Sequence, residues 1–295
     1  MSGHRALLTG ATGFIGSHLA ARLGKSGWEV HALVRESKAA RVAGRFQEHR
    51  YDGSTGSVVQ AIGAARPDVV FHLASLFIAE HRTDDLTPLV ESNVLLGAQL
   101  AEGMRVHGRT RLVNTGTAWQ HYGDAEYDPA SLYAATKQAL VDVLRFFEEA
   151  AALRVITLEL FESYGPSDPR PKLMSALGRA SRAGARVALT DGRQVLELVH
   201  VRDIVRAYEI AAERLLEGLV ERHETYAVRS GAAVTVRELV ETFGRVAGKP
   251  IAADWGARSY RAREMLAAPT GGATLPGWKA EISLQEGIRE LLKGD

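Results

Sequence analysis

The stretch "LLTGATGFIGSHLAARL" (7–23) limits what this chain can fold into more than any other. A short apolar run leads into it, and Ile15, Leu19 and Leu23 recur behind it at helical spacing until Gly27. Gly10, Gly13 and Gly16 therefore occupy the turn between a first strand and a first helix. Glycine there permits a tight turn and lets backbone approach a pyrophosphate, which the free N–H groups and positive end of the helix attract. Three glycines alone mean little, but between a strand and an amphipathic helix they indicate a dinucleotide site. No Gly-Lys-Ser/Thr follows, which speaks against a nucleoside triphosphate loop.

The first two-thirds of the chain keeps that rhythm. "RALLT" (5–9), "EVHALV" (29–34), "DVVFHL" (68–73), "TRLVN" (110–114) and "RVITLEL" (154–160) read as strands, almost continuously apolar as strands covered on both faces are. Between them, "PLVESNVLLGAQLAEGM" (88–104) and "LYAATKQALVDVLRFFEEAAAL" (132–153) read as helices. The alternation predicts an α/β fold, a doubly wound parallel Rossmann sheet over 1–165. "YGPSDPRPK" (164–172) holds three of the nine prolines and reads as a loop. Beyond it the elements shorten, which predicts a smaller C-terminal substrate-binding lobe over 166–295, with 195–230 returning to the first domain.

Bulk charge narrows the function. With 36 basic and 35 acidic residues there is no field to steer nucleic acid or an anionic membrane. The absence of cysteine excludes disulfides, thiolate metal sites and a cysteine nucleophile, and no metal site is expected. No secretion-type leader or membrane-length apolar run is seen, so a soluble cytoplasmic protein is expected.

The second strand bears on the choice of dinucleotide. An NAD site usually ends it with Asp or Glu on the adenosine ribose. Here Val34 stands there and Arg35 follows, able to grip a 2′-phosphate in a two-pronged contact. NADP(H) is favoured; NAD stays open, because a one-residue shift would bring Glu36 to the ribose.

Tyr133 and Lys137 lie four apart in an Ala-rich helical run and so share a face. The ammonium would favour the phenolate and lower the tyrosine's pKa. A phenol so tuned can give a proton to a carbonyl oxygen as hydride reaches the carbon. Thr117, after a central strand, can hydrogen-bond the same oxygen.

These residues resemble an extended short-chain dehydrogenase/reductase of the sugar-nucleotide epimerase/dehydratase superfamily. The resemblance runs through "TGATGFIGSHL" (9–19), Asp52, "VVFHLAS" (69–75), Asn93, the Thr117/Tyr133/Lys137 set, "LFESYGPSDPR" (160–170), "ELVHVRDIVRA" (197–207) and "LPGWKAEISLQEGIREL" (275–291). It implies that Gly10, Thr12, Gly13, Phe14, Ile15 and Gly16 hold the cofactor's phosphates, with Arg35 and Asp52 at its adenosine end. Leu73, Ala74, Ser75, Asn93, Thr115, Tyr133 and Lys137 would complete the cofactor site. A nucleotide-diphosphate sugar would be held by Ser75, Thr117, Trp119, Glu162, Lys172, Arg193 and Arg261, the two arginines as diphosphate clamps. A homodimer built on the helices of Asn93 and Lys137 is implied as well.

The resemblance also separates reactions. Dehydratases of this kind carry Asp-Glu after the threonine, where this chain has Ala118 and Trp119, and neither can move a proton. Epimerase-reductases that use a cysteine are excluded by composition. The chain looks closest to nucleotide-sugar 4-ketoreductases, which implies NADPH-dependent reduction of a 4-keto-6-deoxyhexose. If the enzyme also epimerises, the loop residue His121 could be a second proton donor. The alternatives are an NAD-retaining 4-epimerase and a non-enzymatic dinucleotide sensor. Such sensors typically lose the tyrosine or lysine, and both are present here.

Overall fold

A computed structural model describes residues 3–35 and 46–293; Glu36 lies outside the described residues. Among those described, seven strands form one parallel sheet. They are β1 (Arg5–Thr9), β2 (Glu29–Arg35), β3 (Gln47–Tyr51), β4 (Val69–His72), β5 (Arg111–Thr117), β6 (Arg154–Leu160) and, much later, β10 (His223–Val228). Their spatial order is β10-β6-β5-β4-β1-β2-β3. The chain thus winds outward from β1 in one direction and then from β4 in the other. That reversal opens a crevice at the carboxyl ends of β1 and β4, where open α/β sheets bind ligands.

Alternation along each strand accounts for the two buried faces. Leu8, Phe71, Val113 and Ile156 pack with Leu19 and Leu23 of α1 (Phe14–Lys25) and with Ile204, Tyr208 and Leu215 of α7 (Val201–Leu216). Their neighbours Leu7, Val70, Leu112 and Val155 face the other way, onto Ile62 of α2 (Thr55–Ala65), Leu100 of α4 (Leu96–Val106), and Leu140 and Leu144 of α5 (Leu132–Ala151). Each such leucine stabilises the fold by about 1.5–3 kcal/mol.

The second lobe holds a three-stranded sheet ordered β11-β9-β7 and a small β12-β8 pair. Its strands are β7 (Glu162–Tyr164), β8 (Val187–Ala188), β9 (Val195–His200), β11 (Ala233–Thr235) and β12 (Ala253–Asp254). Leu177 of α6 (Leu173–Ala183), Leu239 and Phe243 of α8 (Val236–Ala247) and Ile288 of α9 (Leu284–Lys293) form its core. Within 195–230, β9 belongs to this small sheet, whereas α7 packs on α1 and β10 pairs with β6 of the large one.

Three local features depart from the sequence expectations. The edge strand β3, "QEHRY", is too polar to be seen by apolar pattern. The helix expected over 88–104 is α3 (Leu86–Val90), one wide π-turn (Glu91–Leu95) and then α4. Thr117 is the last residue of β5 rather than the first beyond it.

Candidate active site

The glycine turn behaves as backbone chemistry requires. Gly10 has φ +73°, and a Cβ on it would lie 2.7 Å from the Ala74 nitrogen, so β4's exit and the turn touch backbone to backbone. Gly13 N–H donates to the Gly10 carbonyl at 2.9 Å. Gly16 lets the first turn of α1 press on that same carbonyl. A cleft of about 980 Å³ opens here, lined by Gly10, Thr12 and Gly13, by Arg35, by Asp52 and Gly53, and by Leu73 to Leu76. Arg35 is exposed at its rim. Asp52 accepts the Ser54 N–H at 2.9 Å, and bonds from Ser54 and Ser57 hold its carboxyl down to about 2. Phe14 lies elsewhere: it is buried in the α1 core with the Arg170 guanidinium over its ring, and Ile15 packs beside that core.

Ser75 joins this cleft to the tyrosine. Its hydroxyl lines the cleft, and with the Thr117 hydroxyl it pulls the Tyr133 phenol's pKa downward. Asn93 fixes Ser75 in place. Its Oδ1 accepts from Ser75 Oγ at 3.0 Å and from Leu76 N–H at 2.8 Å, and its Nδ2 donates to Leu76 O and to Thr136 Oγ1, both at 3.0 Å. Thr136 in turn donates to the Tyr133 carbonyl at 2.7 Å. Asn93 is fully buried and all four bonds go to protein, so it positions the site from behind rather than reaching a cofactor. The π-turn that carries it is a distortion often found at functional sites.

Helix α5 begins at the Ser131 cap, whose hydroxyl accepts the Ala134 N–H. The buried residues Tyr133, Lys137, Leu140 and Leu144 then line its sheet-facing side. Lys137 is 1% exposed and its Nζ has no hydrogen-bond partner among the described residues. Burial alone lowers its pKa to about 8. The phenol shifts opposite to the sequence expectation. Burial raises Tyr133 to about 12, the Ser75 and Thr117 hydroxyls oppose that, and Lys137 is not among the influences. Desolvation of the enclosed phenol sets the direction of the shift.

The expected Thr115 contact also points inward: its hydroxyl donates to His72 O at 2.7 Å and bonds Tyr208 at 2.6 Å. His121 is no free loop imidazole. Its Nε2 lies 3.0 Å from Glu159, and that bond raises its pKa to about 8.

On the substrate-lobe side, the expected charged residues are already paired. Lys172 Nζ meets Glu162 at 3.0 Å, and that charge, joined by the Trp119 indole N–H, holds the Glu162 carboxyl below its usual range. Arg261 grips Glu264 and lies 4.7 Å over the Trp119 ring. Trp119, Glu162, Arg261 and Glu264 share a small cavity of about 80 Å³. Arg193 is not among its lining residues; it is exposed and bound to Asp191. Sequence reasoning gives Phe77 no role, yet its ring meets Tyr133 at 5.0 Å and Trp119 at 5.2 Å. It follows the strand exit in an irregular segment, so no local periodicity marks it.

Known proteins resemble this chain in sequence and fold. The pattern of the NAD dependent epimerase/dehydratase family matches residues 6–226. The chain belongs to that family. It is 25% identical over 289 residues to the CDP-abequose synthase of Salmonella muenchen, covering 97% of this chain and 96% of that protein. It is 26% identical to the UDP-glucose 4-epimerase of Mycolicibacterium smegmatis, covering 98% and 97%. The crystal structure of the Thermus thermophilus UDP-glucose 4-epimerase complexed with NAD superposes with a TM-score of 0.83 at 26% identity, covering 98% of each chain. The family member described here is thus an α/β nucleotide-sugar enzyme of the extended short-chain dehydrogenase/reductase type. Among its described residues no helix is long and apolar enough to cross a membrane.

Proposed function

We propose that this protein reduces the C4 ketone of a nucleotide-linked 4-keto-6-deoxyhexose, taking hydride from NADPH. The observation that carries the reading is the convergence of Ser75, Thr117 and Tyr133 at the inner end of the cleft, with the Lys137 ammonium, which has no partner among the described residues, one turn behind. The residues present fit a dinucleotide. Gly10, Thr12, Gly13 and the start of α1 suit the pyrophosphate; Asp52, Leu73, Ala74 and Ser75 suit the adenosine and the groove wall; Lys137 can donate to the nicotinamide ribose. Arg35 at the rim supports a 2′-phosphate. When bound, the reduced nicotinamide supplies the hydride.

The chain's own residues do the remainder. Thr117 orients the carbonyl oxygen, and Tyr133 gives it a proton. A phenol held at about 12 stays protonated at neutral pH, the state a proton donor needs. Ala118 and Trp119 provide no acid or base for loss of water, so the sugar leaves reduced rather than dehydrated. Trp119 and Phe77 form an apolar wall suited to a sugar ring and its methyl, while Lys172 and Arg261 can turn to the diphosphate.

A second reading, the 4-epimerase, draws on the NAD named with the Thermus neighbour. Titrating the protein with NADPH and NADH, then adding 4-keto-6-deoxyhexoses linked to dTDP or CDP, separates the two. A reductase consumes one NADPH per sugar. An epimerase interconverts UDP-hexoses with no net change in nicotinamide absorbance.

A further inference from the structure

Three buried polar atoms on the sheet face beneath α5 have no partner among the described residues: Lys137 Nζ, His72 Nε2 and Asn114 Oδ1. They sit together. His72 on β4 and Asn114 on β5 are paired in register, and the Lys137 charge acts on His72.

Hydrogen-bond polarity decides what each atom offers. Thr9 Oγ1 accepts the Ala74 N–H at 3.1 Å and lies 2.8 Å from His72 Nδ1, and we assign its own proton to that nitrogen. That leaves the ring proton of the neutral imidazole on Nε2, a donor. On the other side, His223 Nδ1 is 3.0 Å from the Glu148 carboxylate, which can only accept. Burial, helped by the nearby Arg145 charge, keeps His223 neutral against Glu148, so its Nε2 accepts. The partner of that Nε2 is the Thr157 hydroxyl at 2.7 Å, whose oxygen is thereby left to accept from Asn114 Nδ2 at 3.1 Å. The chain reads one way from Glu148 inward, and with the amide nitrogen on Thr157 it leaves the buried Asn114 carbonyl oxygen with no partner among the described residues.

We propose that Asn114 is a positioning residue for Lys137: its carbonyl and the His72 N–H hold one buried water against the ammonium, and the Thr157–His223–Glu148 chain sets the amide's orientation. Buried waters typically make about three hydrogen bonds to groups that are otherwise unsatisfied, and this spot supplies two kinds of donor and one acceptor. The chain also closes on itself, because Glu148 lies on the same helix as Lys137, about 16 Å along it. Helix α5 is therefore clamped to β5, β6 and β10 through polar groups inside an otherwise apolar face. Among the described residues burial is the one influence given for Lys137; in the proposal the acceptor Oδ1, acting through the water, is what favours its charge against burial. The inference rests on Lys137 serving the reaction proposed above, but its test does not need turnover.

A high-resolution crystal structure of the protein should show a water within hydrogen-bond distance of all three atoms; a dry, unpartnered Nζ overturns the proposal. The chain has seven lysines, so ¹³Cε-lysine labelling resolves Lys137, assigned through Lys137→Arg. Its titration midpoint should fall by about one pH unit in Asn114→Leu and by about half a unit in Thr157→Val, which change no charge. Thr157→Ser, retaining the hydroxyl, should restore it. Lower melting temperatures with an unmoved midpoint in folded Thr157→Val and Asn114→Leu would make the chain mere packing. If Asn114→Leu does not fold, Thr157→Val against Thr157→Ser decides. A shifted midpoint with no ketone reduction would leave this inference standing and remove the reductase.

Discussion

The two sides of the cleft are built on different principles. At the inner end of the proposed dinucleotide cleft the groups on offer are backbone or buried and unspent: the Gly10 turn lies against Ala74, and Lys137 has a polar atom with no partner among the described residues. On the substrate-lobe side, the basic candidates are each occupied by a neighbour: Lys172 by Glu162, Arg261 by Glu264, Arg193 by Asp191. The first surface is ready for its ligand. In the proposed function the second exchanges an internal ion pair for a substrate contact, which would let it reject ligands that cannot repay the exchange.

The sharpest way to break this comparison is Tyr133→Phe. Turnover should drop by about three orders of magnitude while NADPH affinity is kept, as read by steady-state kinetics and cofactor fluorescence. Next comes Gly10→Ala, which forces a side chain into a positive-φ position against Ala74; NADPH affinity should fall roughly 100-fold, by strain of about 1–3 kcal/mol or more. Unchanged affinity would mean that the turn is not the phosphate site.

On the opposite wall, Lys172→Ala and Arg261→Ala should raise KM for the nucleotide-sugar by about tenfold, with cofactor affinity unaltered. Equal loss of cofactor affinity would erase the distinction between the two sides. The effect most informative for stability is that of Lys137→Met. A lysine whose pKa falls from 10.5 to about 8 on folding penalises the fold fully below pH 8, and the penalty fades as pH rises toward 10.5. The variant should melt at higher temperature than the wild type at pH 7 and lose that advantage near pH 10, while activity is impaired. In the wild type, activity should decline above pH 8 as the ammonium is lost.

Much of this is legible in the sequence because it is local. Strand–helix alternation, the Gly10/Gly13/Gly16 spacing and the Tyr133–Lys137 spacing all lie within one or two elements. What escapes depends on distance or burial. Asn93 meets Ser75 and Thr136 across 18 and 43 residues, and nothing nearby announces the π-turn that aims it. Helical spacing predicts a phenol lowered by the adjacent lysine; enclosure reverses the sign, and enclosure is a property of the assembled fold. The polar edge strand β3 lacks the apolar signature of its neighbours. Arg193 and Arg261 can be read as clamps and Lys172 as a substrate contact, but not that carboxylates nearby already hold them.

The central claim is that Tyr133 protonates a sugar C4 oxygen while hydride crosses from reduced nicotinamide. The most direct measurement follows deuterium from C4-labelled NADPH into the product after incubation with a nucleotide-linked 4-keto-6-deoxyhexose. One deuterium should reach sugar C4 per NADPH oxidised, and with Tyr133→Phe the labelling should slow by about three orders of magnitude. NADPH that binds the wild-type protein yet transfers no label to the sugar would contradict it.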